Sequence, residues 1–173
     1  MIKEIEKDVF TCFVEEHSTK KDIILGHINE IPNNPMMEEG QQKIIHTDWN
    51  MPKQMERKYI TPFVEIIDPS LRHLAIRYNC KTCILANIWF QQYEANSGFH
   101  TWHVHEHAHF ACVYLLEGSK EHATEIQISN KIFKPSLQEG DLLIFPAYYL
   151  HRSAPFESGR KTVIAFNLNL RGS

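Results

Sequence analysis

The sequence has no apolar run that approaches the roughly 20 residues of a membrane-spanning helix. Its N-terminus, MIKEIEKDVF, carries charges where a signal peptide has its apolar stretch. It also has no excess of basic charge, because 18 Lys and Arg stand against 21 Asp and Glu, for a formal net charge of -3. Phosphate binding normally needs a basic patch, so we expect neither a membrane nor a nucleic-acid partner. These features predict a cytoplasmic protein.

Cysteine is also scarce, with four in 173 residues. A chain of this length buries a hydrophobic core without cross-links, so we expect a single domain, 1–173, with free thiols. Cys80 and Cys83 form a C-x-x-C pair, but the second pair of a typical zinc site is lacking.

The first part of the chain, residues 1–80, predicts a mixed α/β support region. Apolar residues within 23–31 recur at helical spacing. Residues 33–53 are rich in turn formers and are expected to be irregular. Thr61-Pro62 and Asp68-Pro69 each place a capping residue ahead of a proline suited to a first helical turn, which predicts two short consecutive helices.

From residue 81 the apolar period changes to two. Strand-like runs separated by turn residues follow one another to the C-terminus, at residues 83–90, 110–116, 124–129, 141–145 and 162–170. Helices followed by short strands predict an α+β, mostly β protein whose core, 81–173, is a sandwich or barrel.

The most unusual stretch is TWHVHEHAHFAC, in which His103, His105, His107 and His109 occupy every second position. Alternate side chains of a strand share one face, so four imidazoles would point the same way. Facing solvent, they would form a harmless or pH-sensitive surface. Facing an interior, they would need hydrogen-bond partners or a metal ion.

Residues farther along the chain favour a metal site. The apolar strand in GDLLIFPAYYLH leads to His151, and Arg160 directly precedes the last strand. An H-x-H pair with a distant histidine is the layout of the metal site in a double-stranded β-helix, where three ligands leave positions open on one side of the ion. The arginine is suited to bidentate binding of a carboxylate.

Together these motifs resemble the Fe(II)- and 2-oxoglutarate-dependent oxygenases, most of all the small bacterial and phage-type group related to prolyl hydroxylases. The resemblance rests on WHVH, VYLL, GDLLIFP, LH and RKTVIAFN and covers roughly residues 83–170. It implies a double-stranded β-helix core of the jelly-roll or cupin-like type, with the preceding helices as a support layer.

By this resemblance His103, His105 and His151 are the iron ligands, and Arg160 holds the distal carboxylate of 2-oxoglutarate. The implied activity is hydroxylation of a C–H bond in a small-molecule or peptidyl substrate, with no catalytic residue beyond the metal centre. The departure lies at His105, where most relatives have Asp or Glu. This exchange removes a negative charge from the ligand shell and weakens binding of a hard divalent cation.

Further residues receive supporting roles. His107 and His109 share the predicted face of the ligands, where they would hydrogen-bond to them, line the substrate cavity or pack structurally. A shifted register, with His105 and His107 as the ligand pair, keeps the same spacing. By the resemblance, Tyr93 and Asn87 are candidates for steadying 2-oxoglutarate.

Two other functions fit the sequence. A cupin-type dioxygenase or isomerase with three histidines needs no 2-oxoglutarate and therefore no carboxylate anchor at Arg160. A non-catalytic β-barrel that binds a small molecule would carry the histidines as a pH-sensitive patch. The pattern does not specify the substrate and is compatible with a homodimer.

Overall fold

The computed structural model describes residues 1–172, which form two antiparallel sheets and two helices. The helices are α1 (His17–Asn29) and α2 (Ile60–Arg77). The strands, in chain order, are β1 (Lys3–Glu6), β2 (Val9–Phe13), β3 (Met36–Glu38), β4 (Gln42–Ile44), β5 (His46–Thr47), β6 (Thr82–Glu94), β7 (Phe99–His103), β8 (Phe110–Glu117), β9 (Glu125–Ile128), β10 (Lys131–Phe133), β11 (Asp141–Pro146), β12 (His151–Ser153) and β13 (Arg160–Arg171).

The seven-stranded sheet has the order β1-β2-β11-β8-β13-β6-β5, and the six-stranded sheet has the order β10-β9-β12-β7-β4-β3. Sequence neighbours are often separated in these orders, because strands alternate between the two sheets. This mostly β arrangement with two helices confirms the predicted fold class.

The large sheet is buried on both faces. Along β8, Cys112 and Tyr114 pack with the helices, and the ring of Tyr114 lies 5.4 Å from that of Phe63 in α2, between centroids. The alternate residues Ala111 and Val113 pack in a second cluster that includes residues of the small sheet. Burial on both faces explains why β8 and β13 are nearly continuous apolar runs rather than alternating ones.

The structure differs from the sequence expectations in the support region. α2 is one continuous helix with Pro69 inside it, so the prediction of two short helices is wrong. Pro69 removes the helical donor to the carbonyl of Glu65, and both residues are exposed, so the helix continues where this loss lies at the surface. The segment 33–53, expected to be irregular, contains the short strands β3, β4 and β5.

The four cysteines are free thiols, as the sequence predicts. Neither helix within residues 1–172 combines the length and the apolarity needed to cross a membrane.

A buried carboxylate fastens the segment that precedes α2 to the large sheet. Asp48 is fully buried, and its Oδ2 accepts a hydrogen bond from the Tyr59 hydroxyl at 2.7 Å and lies 2.8 Å from Arg57 Nε. Its Oδ1 accepts from the backbone N–H of Phe90 in β6 at 2.9 Å. The neighbouring residue, Trp49, is thereby held in a fixed position although half of its surface is exposed.

We predict that Asp48→Asn lowers the free energy of unfolding by about 3 kcal/mol, because it leaves Arg57 without its buried counter-ion. Chemical denaturation monitored by circular dichroism measures this loss. Asp68→Asn is the matched control, since Asp68 pairs with Arg72 on the exposed surface of α2, where such a pair contributes less than about 1 kcal/mol. Equal losses in the two variants would contradict the role given to Asp48.

Candidate metal centre

A cavity of about 400 Å³ lies between the two sheets. On β6 and β13 every second side chain faces it. These side chains form one wall of the cavity as four pairs of residues that lie opposite each other on the two strands. From one end of the wall to the other, the pairs are Tyr93–Lys161, Gln91–Val163, Trp89–Ala165 and Asn87–Asn167.

Three of the predicted ligands meet on one wall of this cavity. His103 ends β7 and His151 begins β12, directly opposite it in the register. His105 lies just beyond β7, where its backbone N–H donates to the carbonyl of Ala147 at 2.9 Å. One ring nitrogen of each histidine lies within 4.8 Å of those of the other two. The set can hold one metal ion.

The rings are oriented by acceptors behind them. Nδ1 of His103 lies 2.8 Å from the carbonyl of Thr101, and Nδ1 of His151 lies 3.0 Å from the carbonyl of Tyr149. Nδ1 of His105 lies 2.5 Å from Asn167 Oδ1. Carbonyl and amide oxygens only accept, so each Nδ1 carries the proton and each Nε2 keeps a free lone pair. This is the tautomer in which imidazole binds a metal through Nε2.

Burial keeps these imidazoles neutral. Desolvation lowers the pKa of His103 to about 4, and that of His105 also falls below its usual range. Desolvation and the neighbouring histidines depress the pKa of His151 well below its usual value. Three neutral nitrogen donors therefore face the cavity at pH 7, a set that suits borderline divalent metals such as iron and zinc.

The predicted face of four histidines does not form. β7 ends at His103, and His107 has a left-handed backbone with φ of 62°. The side chain of His107 is 93% exposed, and His109 lies on the surface, where its Nδ1 accepts from the backbone of Leu170. Neither lines the cavity, so the geometry supports neither a role beside the ligands nor the shifted register, and it leaves His109 with a structural contact to β13. The ring of His100, a residue without a role predicted from the sequence, stacks on that of His103 at 3.9 Å between centroids.

Arg160 also lies outside the cavity, contrary to the expectation from sequence. Its guanidinium forms two hydrogen bonds to Glu117, at 2.8 and 3.0 Å, on the surface. The reason is strand parity: a shift of one residue moves a side chain to the opposite face of the sheet. The next residue, Lys161, therefore faces inward.

Lys161 is 2% exposed. Its Nζ donates to Ser153 Oγ at 2.9 Å and lies 5.4 Å from the ring centroid of Tyr93. These contacts bring no negative charge, and desolvation lowers the pKa of the ammonium to about 7. Ser153 lies two residues beyond His151 on the same strand face, about 6–7 Å away. Lys161 and the histidine cluster therefore line the same cavity.

Two indole rings line the cavity beside the histidine cluster. Trp49 and Trp89 lie edge to face with centroids 4.5 Å apart, and Trp89 lies 5.6 Å from the ring of His105. Met36 and Gln42 also line the cavity, so the segment 33–53 contributes three lining residues, counting Trp49. These residues gave little signal in the sequence, because they come from a turn-rich segment with short strands and from the apolar run of β6.

Neither a protein-family model nor a curated protein matches this sequence. Solved structures do match its fold. An oxidoreductase of the 2OG-Fe(II) oxygenase family from Burkholderia pseudomallei has a TM-score of 0.69 at 11% identity, over 95% of this chain and 86% of its own. A prolyl-4-hydroxylase from Pseudomonas putida has a TM-score of 0.67 at 11% identity, over 96% and 93%.

A third match is a prolyl hydroxylase from Trichoplax adhaerens in complex with a peptide fragment of hypoxia inducible factor. It has a TM-score of 0.65 at 12% identity, over 92% of this chain and 83% of its own. The chain thus has the fold of 2OG-Fe(II) oxygenases and prolyl hydroxylases, which confirms the structural side of the resemblance.

We predict that His103→Ala, His105→Ala and His151→Ala each lower the affinity for Co(II) by more than about 100-fold, the upper end of the losses caused by removing a ligand's hydrogen-bond partner. Absorption titration of tag-free protein measures this. His107→Ala and His109→Ala are the matched controls and should retain wild-type affinity. Loss of binding in His107→Ala with retention in His103→Ala would instead support the shifted register.

Proposed function

We propose that this protein is an Fe(II)- and 2-oxoglutarate-dependent oxygenase that hydroxylates a C–H bond of a small-molecule or peptidyl substrate. The observation that carries the proposal is one cavity with two complementary ends. At one end three neutral imidazoles present free Nε2 lone pairs, and at the other Lys161 presents a buried ammonium group. A metal ion and a dicarboxylate bound to it fit this spacing.

In this proposal His103, His105 and His151 hold the iron, which together with 2-oxoglutarate and oxygen supplies the oxidising chemistry when bound. Lys161, rather than Arg160, binds the distal carboxylate. Ser153 Oγ accepts a hydrogen bond from the ammonium at 2.9 Å, which fixes the position of Nζ.

The residues around this end exclude water. Tyr93 is 1% exposed and packs beside Lys161, and its hydroxyl donates to Gln91 at 2.9 Å. This supports the expectation that Tyr93 steadies 2-oxoglutarate. Asn87 lies at the opposite end of the cavity wall, beside Asn167, so we assign it to the substrate side.

The substrate then lies against Trp49 and Trp89, on the part of the cavity wall that reaches His105. The rings offer apolar contact, and Asn87 and Gln42 offer amide hydrogen bonds. The peptide held by the Trichoplax adhaerens prolyl hydroxylase supports a peptidyl substrate as one of the two classes.

The proposal is tested by the fate of 2-oxoglutarate. Wild-type protein loaded anaerobically with Fe(II) and 2-oxoglutarate and then given oxygen is expected to release succinate, slowly without substrate and faster with the correct substrate pool. His151→Ala should abolish this release, and His109→Ala should leave it unchanged. Oxygen consumption with a substrate but without succinate would point instead to a cupin-type enzyme, and bound metal without any turnover to a non-catalytic barrel.

The pKa of Lys161 near 7 predicts a pH dependence of 2-oxoglutarate binding. Below about pH 7 the ammonium is already charged. Above pH 7 binding must take up a proton, so the affinity falls by up to about tenfold per pH unit until the higher pKa of the complex is reached. Calorimetry of the protein loaded with Co(II), across pH 6 to 9 as an approximate range, measures this slope.

Lys161→Met should weaken 2-oxoglutarate binding by at least about 30-fold, equal to ~2 kcal/mol, and remove the pH slope. Arg160→Met, one residue away on the opposite face, is the matched control and should change neither. A larger effect of Arg160→Met would refute the assignment of Lys161.

A further inference from the structure

The histidine cluster lacks a group that neutralises a divalent cation. Its ligands are neutral, and Asn167 behind His105 is an uncharged amide. Among the cavity-lining residues within 1–172, Glu106 is the only acidic one. Its side chain is 84% exposed and lies 3.8 Å from that of His107, so water and salt screen its charge.

The other charged groups around the cavity do not supply the missing charge. The carboxylate of Asp48, next to Trp49 in the chain, is occupied by Arg57 and Tyr59. Arg152 is paired with Glu125 at 2.8 Å. Lys161 adds positive charge at the far end. A metal ion that enters alone therefore brings its charge into a partly dehydrated cavity without a counter-ion, which is unfavourable.

We propose that in this chain the metal ion and the dicarboxylate bind as a coupled unit, each raising the affinity for the other. The dicarboxylate brings the negative charge that an Asp or Glu ligand at position 105 would otherwise contribute. The inference rests on the proposed function, since it takes 2-oxoglutarate as the dicarboxylate. Binding linkage makes the effect reciprocal, so the metal raises the affinity for 2-oxoglutarate by the same factor.

Two substitutions each place a negative charge at the histidine cluster, one within the ligand set and one behind it. His105→Asp adds it within the ligand set. Asn167→Asp leaves the ligands unchanged and is nearly isosteric, with a carboxylate in place of the amide oxygen that accepts from His105 Nδ1. Asn169→Asp is the matched control: it makes the same change on the same strand, but beside the backbone N–H of surface residue His109.

The experiment is an anaerobic titration with Co(II), with and without saturating 2-oxoglutarate, in the wild type and the three variants. For the wild type we expect 2-oxoglutarate to tighten Co(II) binding by at least about 50-fold, within the usual range of coupling. In His105→Asp, Co(II) alone should bind more tightly and the coupling factor should fall about tenfold. Asn167→Asp should also tighten the binding of Co(II) alone and lower the coupling factor, each by less than His105→Asp does. Asn169→Asp should match the wild type.

The outcomes separate the inference from the proposed function. If metal-loaded protein binds 2-oxoglutarate but the coupling factor is the same in the wild type, His105→Asp and Asn167→Asp, the inference is overturned and the proposed function stands. An equal reduction in Asn169→Asp also overturns it, because the effect would then be one of general charge. If metal-loaded wild type does not bind 2-oxoglutarate, the proposed function itself fails. Should His105→Asp not fold, Asn167→Asp decides the question.

Discussion

The alternation of side chains along β13 is the constraint on which both the core and the candidate site depend. This strand is hydrogen-bonded on both edges, to β6 over its whole length and to β8 over much of it. Its side chains therefore have only two directions. Ile164, Phe166 and Leu168 pack with the helices, whereas Lys161 and Asn167 face the cavity. A single strand thus fixes the hydrophobic core and both ends of the site.

Strand parity also explains what the sequence predicts well and where it fails. The strand-like runs and the H-x-H pair followed by a distant histidine are local patterns, and the structure brings His103, His105 and His151 together from them. Whether residue 160 or residue 161 faces the cavity depends on where the turn ends and β13 begins. Sequence patterns define such boundaries poorly, so the sequence does not predict that Lys161, rather than Arg160, faces the cavity.

The remaining differences come from tertiary context. The alternation of histidines predicts a continuous strand to His109, but the chain leaves β7 after His103 and turns at His107. Pro69 predicts a helix start, yet it lies on the solvent side of α2, where a missing hydrogen bond costs little. Trp49 reaches the cavity only because the buried carboxylate of Asp48, forty-two positions away from its partner Phe90, fastens that segment to β6. No local pattern reports such a contact.

The histidine at position 105 and the asparagine at position 167 are best understood as a pair. An aspartate ligand would not need a hydrogen-bond acceptor behind it, whereas an imidazole ligand leaves an Nδ1–H that must be satisfied when it is buried. Asn167 Oδ1 provides that acceptor from the inward face of β13. An aspartate at 167 would orient the ring equally well, and it would also return a negative charge to the site. The amide orients His105 without adding a negative charge, so the negative charge that offsets a metal ion at the histidine cluster would come from what binds with the metal rather than from the wall behind His105.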